Sequence, residues 1–159
     1  MRVLTFFILL VSFCIPLNVV YFTASQMEIQ RLSNNLPKNE LKCLVDNAFY
    51  EAHGEGMIGI FLVTQVVVNR SNKTNESYCK IIYKHKQFSW TTMKSLRLVP
   101  SNVRKELEYL VLMVHSGAAK ALIPMHLIDS MFYHANYVKP KWFKTRKKLG
   151  VWKTHIFYE

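Results

Sequence analysis

The sequence predicts an α+β domain that is mainly helical and has a small antiparallel sheet near its C-terminal end. Two observations predict this class. Apolar residues recur at helical spacing in residues 40–52 and 102–116, as in amphipathic helices packed on a core. Residues 130–158 hold eight aromatic residues and no acidic one, without helical periodicity, which favours short strands and loops.

The helices follow from the apolar spacing. Residues 40–52 carry a continuous apolar stripe, and Gly54 is positioned to end that helix. A second helix is predicted at 57–69, and its near-absence of charge indicates that it lies in the centre of the core. Residues 70–78 are polar and predicted to form a loop, and the helix at 102–116 follows later.

The composition indicates a folded, basic protein. Of its 159 residues, 50% are hydrophobic, which is enough for a core and excludes a disordered chain. The 21 Lys and Arg residues exceed the 10 Asp and Glu residues, so the formal net charge is +11. This charge favours an anionic partner such as nucleic acid, a membrane surface or a charged polymer.

Residues 1–25 have the pattern of an export signal. One cation precedes an uncharged stretch that continues to Glu28, as in a secretory signal peptide. The alternative is an uncleaved signal anchor, because residues 3–25 are long enough to span a bilayer. Both predict an exported domain, in the periplasm, the cell envelope or outside the cell. Residues 26–39 are predicted to be a linker before the catalytic domain at 40–159.

Cys43 and Cys79 remain as a pair when the predicted leader, which holds Cys14, is set aside. In an oxidising compartment such a pair predicts a disulfide, and the alternative is two free, buried thiols. The cysteines are too irregularly placed for a zinc site of the Cys-x-x-Cys type. We therefore expect no metal and no cofactor.

Glu51 is the carboxylate whose position favours acid chemistry. It falls between the apolar residues Phe49 and Ala52, at the last turn of the first helix. Partial burial and the negative end of the helix dipole would both raise its pKa. The alternative is a helix-end glutamate paired with a lysine. Glu55 follows between two glycines, where the open backbone would admit a bulky substrate.

Aromatic side chains elsewhere indicate either a surface on which sugars stack or core packing. Trp142 differs from the others because it lies in a basic, loop-like segment, where exposure is favoured. The candidates are Phe88, Trp90, Tyr133, Trp142, Trp152 and Tyr158.

Four blocks of the sequence carry a resemblance to a known family. Residues 43–55 contain Cys-Leu and Tyr-Glu-Ala-His-Gly-Glu, and residues 59–70 end in Val-Val-Val-Asn-Arg. Cys79 is followed by Gln-Phe-Ser-Trp at 87–90, and residues 133–158 contain Tyr-His, Pro-Lys-Trp and His-Ile-Phe-Tyr. In this order and at this spacing, the blocks resemble those of the cell wall hydrolase family of the spore cortex-lytic type.

The resemblance implies a muramidase-type enzyme with a lysozyme-like fold related to lytic transglycosylases. Glu51 would be the general acid that protonates the glycosidic oxygen between N-acetylmuramic acid and N-acetylglucosamine. The scarcity of carboxylates in the blocks fits a lytic transglycosylase, in which the 6-hydroxyl of the substrate closes a 1,6-anhydro ring and one carboxylate serves as acid and base. The alternative is a hydrolytic muramidase that uses Glu51 and Glu55. Glu55 would otherwise cap the next helix.

The other residues of the blocks would bind the glycan or hold Glu51. His155 would do so, or would tie the C-terminal segment to the core. His53 replaces the arginine usual in the family, so it would be a titratable cation near the two glutamates, or would only pack. The predicted substrate-binding residues are His53, Gln87, Phe88, Ser89, Trp90, Tyr133, His134, Trp142 and His155.

The expected partner is the glycan strand of peptidoglycan, and we expect a monomer that does not bind nucleic acid. One alternative is a zinc amidase or peptidase that uses His53, His134 and His155, although no His-Glu-x-x-His spacing is present. Another is a non-catalytic basic module that binds a wall or a membrane. A phage endolysin is slightly favoured over a bacterial wall-remodelling or germination enzyme, because no wall-binding domain is evident.

Overall fold

A computed structural model describes residues 27–28, 30–33 and 35–159. The predicted signal peptide or signal anchor at 1–25 lies outside the described residues. In the part of the chain that is described, no helix is both long and apolar enough to cross a membrane. Part of the predicted linker is helical and packs on the domain. The described residues at 27–28 and 30–33 are helical, Leu36 is buried in the core, and a helix begins at Lys38.

The main helices are α1 (Lys38–Ala52), α2 (Gly56–Thr74), α3 (Tyr78–Tyr83) and α4 (Ser101–His115). Residues 59–68 of α2 are all buried, and α2 packs against each of the other three helices. The second helix is therefore the central one, as its near-absence of charge predicts.

The predicted loop at 70–78 is wrong in its first half, because α2 continues to Thr74. The apolar periodicity stops where the helix reaches the surface, but the backbone hydrogen bonds of the helix continue beyond that point. Asn75 ends the helix in the left-handed conformation (φ 56°), and its N–H donates to the carbonyl oxygen of Ser71 at 2.7 Å.

The end of α1 also differs from the prediction. Gly54 does not stop the helix; it lies inside a 3₁₀ turn, His53–Glu55, that follows Ala52 directly. The residue with positive φ (73°) is Gly56, where α2 begins and where the backbone favours glycine. The chain thus passes from α1 to α2 within a few residues and keeps Glu51 and Glu55 close to the same junction.

The predicted small antiparallel sheet is confirmed in the C-terminal segment. It consists of β1 (Phe132–Ala135), β2 (Lys148–Trp152) and β3 (His155–Tyr158) in the order β1-β3-β2. Its central strand, β3, pairs with both neighbours, so Tyr133 lies beside Phe157 in the register of β1 and β3.

The predicted disulfide is also present. Cys43 on α1 is bonded to Cys79 on α3, which excludes two free thiols in this structure. The bond ties the short third helix to the first.

Candidate active site

A cleft of about 630 Å³ lies between the end of α1 and the sheet. It brings together segments that are far apart in the sequence: the end of α1, the residues around the 3₁₀ turn Ser89–Thr92, β1 with the loop after it, and the start of β3. The lining residues are Tyr50, Glu51, Glu55, Arg70, Lys86, Gln87, Phe88, Ser89, Thr92, Tyr133, His134, Ala135, Tyr137, Val138, Pro140, Trp142, Thr154 and His155.

Glu51 lies in the last turn of α1, half-buried, with its carboxylate in the cleft. Burial raises the pKa of this carboxyl, and the hydrogen bond from Tyr133 opposes the rise. The phenol of Tyr133 donates to Oε2 of Glu51 at 3.0 Å. The net direction is upward, so the carboxyl of Glu51 holds its proton to a higher pH than an exposed glutamate does.

Tyr133 is held on β1 by its aromatic neighbours. Its ring lies 6.2 Å from Phe88, 5.6 Å from Phe157 and, edge-on, 5.1 Å from His155, between ring centroids. Burial and the neighbouring Glu51 hold the pKa of Tyr133 well above its usual range. The side chain is therefore a permanent phenol donor to Glu51 at neutral pH.

Glu55 lines the same cleft but is engaged by the turn between β2 and β3. One oxygen accepts from the hydroxyl of Thr154, and the other accepts from the backbone N–H of Thr154 at 3.4 Å. Nδ1 of His155 lies 3.8 Å from the carboxylate. Glu55 occupies the N-cap position of α2, but its side chain makes no capping hydrogen bond, so the predicted capping role is not what the structure shows.

His155 ties the C-terminal segment to the core, one of the two roles that the sequence left open. Its contact with Glu55 joins β3 to the junction of α1 and α2. His155 also lines the cleft, and binding of the glycan by this residue stays a prediction. Burial lowers the pKa of His155, although Glu55 acts in the opposite direction. The neutral imidazole is therefore favoured near neutral pH.

Arg70 is a cleft residue that sequence reasoning missed. Its Nε donates to the carbonyl oxygen of Met131 at 2.6 Å, and its Nη1 donates to Oε1 of Gln87 at 3.0 Å. Arg70 thus fixes Gln87, which is itself exposed at the cleft. A signal was present, since Arg70 is the first charge after the uncharged buried run of α2.

His134 lines the cleft with both ring nitrogens already engaged. Nδ1 lies 2.8 Å from the carbonyl oxygen of Ala135, and Nε2 lies 2.8 Å from the hydroxyl of Tyr158. A carbonyl only accepts, so Nδ1 carries the proton and Nε2 accepts from Tyr158. Within residues 27–28, 30–33 and 35–159, no three His, Cys, Asp or Glu side chains are grouped as they would be around a metal ion.

Two predicted substrate-binding residues do not line the cleft. Trp90 is 2% exposed, and its Nε1 donates to Oδ1 of Asn47 at 3.1 Å, so it belongs to the core and offers no face to a sugar. His53 is exposed, with its ring 5.2 Å from that of Phe49, and it does not line the cleft. The prediction of direct substrate contact is therefore corrected for Trp90, and that for His53 stays a prediction.

The remaining predicted residues do line the cleft. Phe88 is buried and forms part of its floor, and Ser89 is exposed at its rim. Trp142 is half-buried rather than fully exposed, because its ring packs 5.6 Å from Phe132 and 5.5 Å from Tyr158.

Comparisons with known proteins agree with this architecture. A protein-family model described as Cell Wall Hydrolase matches residues 54–158. None of the curated proteins compared with the chain matches it. The catalytic domain of the germination-specific lytic transglycosylase SleB from Bacillus anthracis is similar in structure, with a TM-score of 0.61 and 20% sequence identity, over 79% of this chain and 98% of that chain. At this identity the likeness concerns the fold, and it confirms the predicted lysozyme-like α+β class.

Proposed function

The chain belongs to the Cell Wall Hydrolase family, and on that premise we propose that it acts as a lytic transglycosylase with Glu51 as both acid and base. Membership of the family makes the chain a peptidoglycan-degrading enzyme. The proposed target is the bond between N-acetylmuramic acid and N-acetylglucosamine. Such an enzyme acts outside the cytoplasmic membrane, for which residues 1–25 are the predicted export signal.

The observation that carries the proposal is a half-buried carboxyl in the cleft, with a raised pKa and one phenol donor. The family match begins at residue 54, after Glu51, so the role of Glu51 is argued from its own surroundings. A carboxyl with a raised pKa holds its proton to a higher pH than an exposed glutamate, and is therefore suited to protonate a leaving oxygen.

In the first step, Glu51 donates its proton to the glycosidic oxygen. The bond from C1 of N-acetylmuramic acid to that oxygen breaks, and N-acetylglucosamine leaves with a free 4-hydroxyl. The phenol of Tyr133 donates a hydrogen bond to Oε2 of Glu51, so the transferable proton is carried by Oε1. Once the proton has left, the same phenol stabilises the carboxylate.

In the second step, the carboxylate of Glu51 accepts the proton of the 6-hydroxyl of the same N-acetylmuramic acid. The 6-oxygen bonds to C1 and closes a 1,6-anhydro ring. Glu51 regains its proton and no water is consumed, so one carboxylate is sufficient. The engagement of Glu55 by Thr154 and His155 is consistent with a supporting role for that second carboxylate.

A hydrolytic muramidase is the second candidate, because Glu55 lines the same cleft and would there activate water or attack the sugar. The masses of the released fragments separate the two reactions, since a hydrolysed end is heavier than an anhydro end by one water. Lytic transglycosylation predicts anhydro ends from the parent and from Glu55→Gln. Hydrolysed ends, with activity lost in Glu55→Gln, would establish the muramidase instead.

The test of Glu51 is Glu51→Gln, which keeps the shape of the side chain and removes the transferable proton. We expect clearing of purified cell walls to fall by about 10²- to 10⁴-fold. Glu106→Gln is the matched control, because Glu106 is exposed on α4 and does not line the cleft. Glu51→Gln clearing walls as fast as the parent would refute the proposal.

A further inference from the structure

A second pocket, of about 590 Å³, adjoins the cleft. Arg70 and Gln87 belong to the lining of both, so their hydrogen-bonded pair forms a shared wall. Four cations line this pocket, and we call it the basic pocket: they are Arg70, Lys73, Lys84 and Arg146. Nothing in the proposed chemistry at Glu51 uses the basic pocket.

The carboxylates at the basic pocket are already paired with cations outside it. Glu76 pairs with Lys80 at 2.8 Å, and Glu159 pairs with Lys147 at 3.1 Å. Lys80 is the main cause of the lowered pKa of Glu76, and Lys84 adds a weaker effect from a distance. Over the described residues, none of the four pocket cations forms an ion pair.

Two of these cations contact the same aromatic ring. Cζ of Arg146 lies 3.4 Å, and Cζ of Arg70 lies 5.0 Å, from the centroid of the Phe132 ring. Burial is the main cause of the lowered pKa of Arg70, and repulsion from Arg146 adds to it. Arg70 commits Nε and one Nη1 hydrogen to Met131 and Gln87, which leaves further N–H donors for a ligand. A bound anion would relieve the repulsion and take up those donors.

We propose that the basic pocket is a subsite for a carboxylate of the peptide branches that N-acetylmuramic acid carries in peptidoglycan, an inference that rests on the proposed function. Guanidinium and ammonium groups bind both carboxylates and phosphates, so charge alone does not choose between them. The shared wall favours the peptide branch, because the two pockets are adjacent and the branch is attached to a sugar in the cleft. An extended peptide spans about 3.3–3.6 Å per residue, so a few residues carry its carboxylate into the basic pocket. The enzyme then prefers peptide-bearing glycan.

The test removes pocket cations that do not line the cleft, in the double variant Lys73→Gln/Lys84→Gln and in Arg146→Gln. Lys94→Gln/Lys105→Gln, on exposed residues elsewhere, is the control with the same charge change as the double variant. Each protein is assayed on soluble peptidoglycan strands, either intact or stripped of peptides by an amidase. On intact strands we expect the pocket variants to raise KM about five- to tenfold with kcat unchanged. On stripped strands we expect all proteins to have the same raised KM.

Pocket variants that match the control on intact strands, or that lose as much on stripped as on intact strands, overturn the subsite. Hydrofluoric acid removes wall phosphate. If this treatment abolishes the raised KM of the pocket variants, the anion in the basic pocket is teichoic phosphate, and the peptide subsite is overturned as well. If the parent cleaves neither substrate, the proposed function fails. Binding of intact and stripped strands by the parent and by the pocket variants then still decides the subsite.

Discussion

At the scale of single residues, Glu51 is subject to two opposing effects. Burial favours its protonated form, and the hydrogen bond from Tyr133 favours the ionised form. Burial is the stronger of the two, so the carboxyl keeps its proton at a higher pH than an exposed glutamate. Tyr133 is therefore a positioning residue that also limits how far the pKa of Glu51 rises.

Tyr133→Phe keeps the ring and removes the donor. We expect kcat/KM to fall by about ten- to a hundredfold, the effect of one hydrogen bond to a charged group. We also expect the alkaline limb of the pH profile to move to higher pH, because the carboxylate of Glu51 loses its stabilising partner. The measurement is kcat/KM against pH. Tyr109→Phe, on α4 outside the cleft, should leave both unchanged, and an unshifted limb in Tyr133→Phe would argue against the hydrogen bond.

Glu51→Gln should also stabilise the protein at neutral pH. The folded state raises the pKa of Glu51 above its value in the unfolded chain, so the parent loses stability as the pH rises through the folded pKa. Glutamine carries no charge to bury and escapes this loss. Denaturant unfolding should give the variant the larger free energy at pH 7 and an equal one below about pH 4, where the carboxyl is protonated in both states. A variant that is no more stable than the parent at pH 7 would contradict the desolvation of Glu51.

At the scale of elements, the junction of α1 and α2 depends on a residue without a side chain. A Cβ on Gly59 would lie 2.2 Å from Cβ of Glu55, closer than real atoms approach. Because Gly59 lacks that atom, Glu55 can lie against the first turn of α2 and still reach Thr154.

Gly59→Ala is therefore expected to lower the free energy of unfolding by about 1–3 kcal/mol through overpacking. Gly54→Ala is the matched control, because a Cβ at this position has no atom within 4 Å. The free energy of unfolding of this variant should remain close to that of the parent. Denaturant unfolding of the two variants measures the difference. Equal losses would show that the contact with Glu55 relaxes without cost.

At the scale of the whole molecule, the disulfide restricts the unfolded chain. Cys43 and Cys79 are 36 residues apart, and closing a loop of that length stabilises the folded state by about 3–4 kcal/mol. We expect Cys43→Ser/Cys79→Ser to lose this amount in guanidinium unfolding. The parent under a reducing agent should lose as much, whereas the variant should not respond to the reducing agent. A variant as stable as the oxidised parent would show that packing alone holds α3 in place.

The fold was predictable where the signal is local. The apolar stripe of residues 40–52 predicts α1 to within two residues of its start at Lys38, because one face of that helix is buried from Cys43 to Ala52. The end of α2 was not predictable from apolar spacing, since its last turn lies at the surface and stops at Asn75 through backbone conformation.

The site was predictable only in part, because its contacts are not local. Glu51 could be found, since its place at the edge of an apolar stripe already indicates partial burial. The charge pattern of α2 marks Arg70 but not its partner Met131, which lies 61 residues away in the chain. Thr154 carries no such mark, and its partner Glu55 lies 99 residues away. Trp90 was misassigned because a buried ring and a sugar-stacking ring have the same sequence signature.

Because β3 lies between β1 and β2, the hydrogen bond from Tyr133 to Glu51 depends on the last strand of the chain. β1 has no partner strand until residues 155–158 have been synthesised, and Tyr133 lies on β1. The helices are complete before β3 is made, but the strand that carries the phenol of Tyr133 pairs only when β3 is present. Nearly the whole domain must therefore be synthesised before the candidate active site around Glu51 is complete.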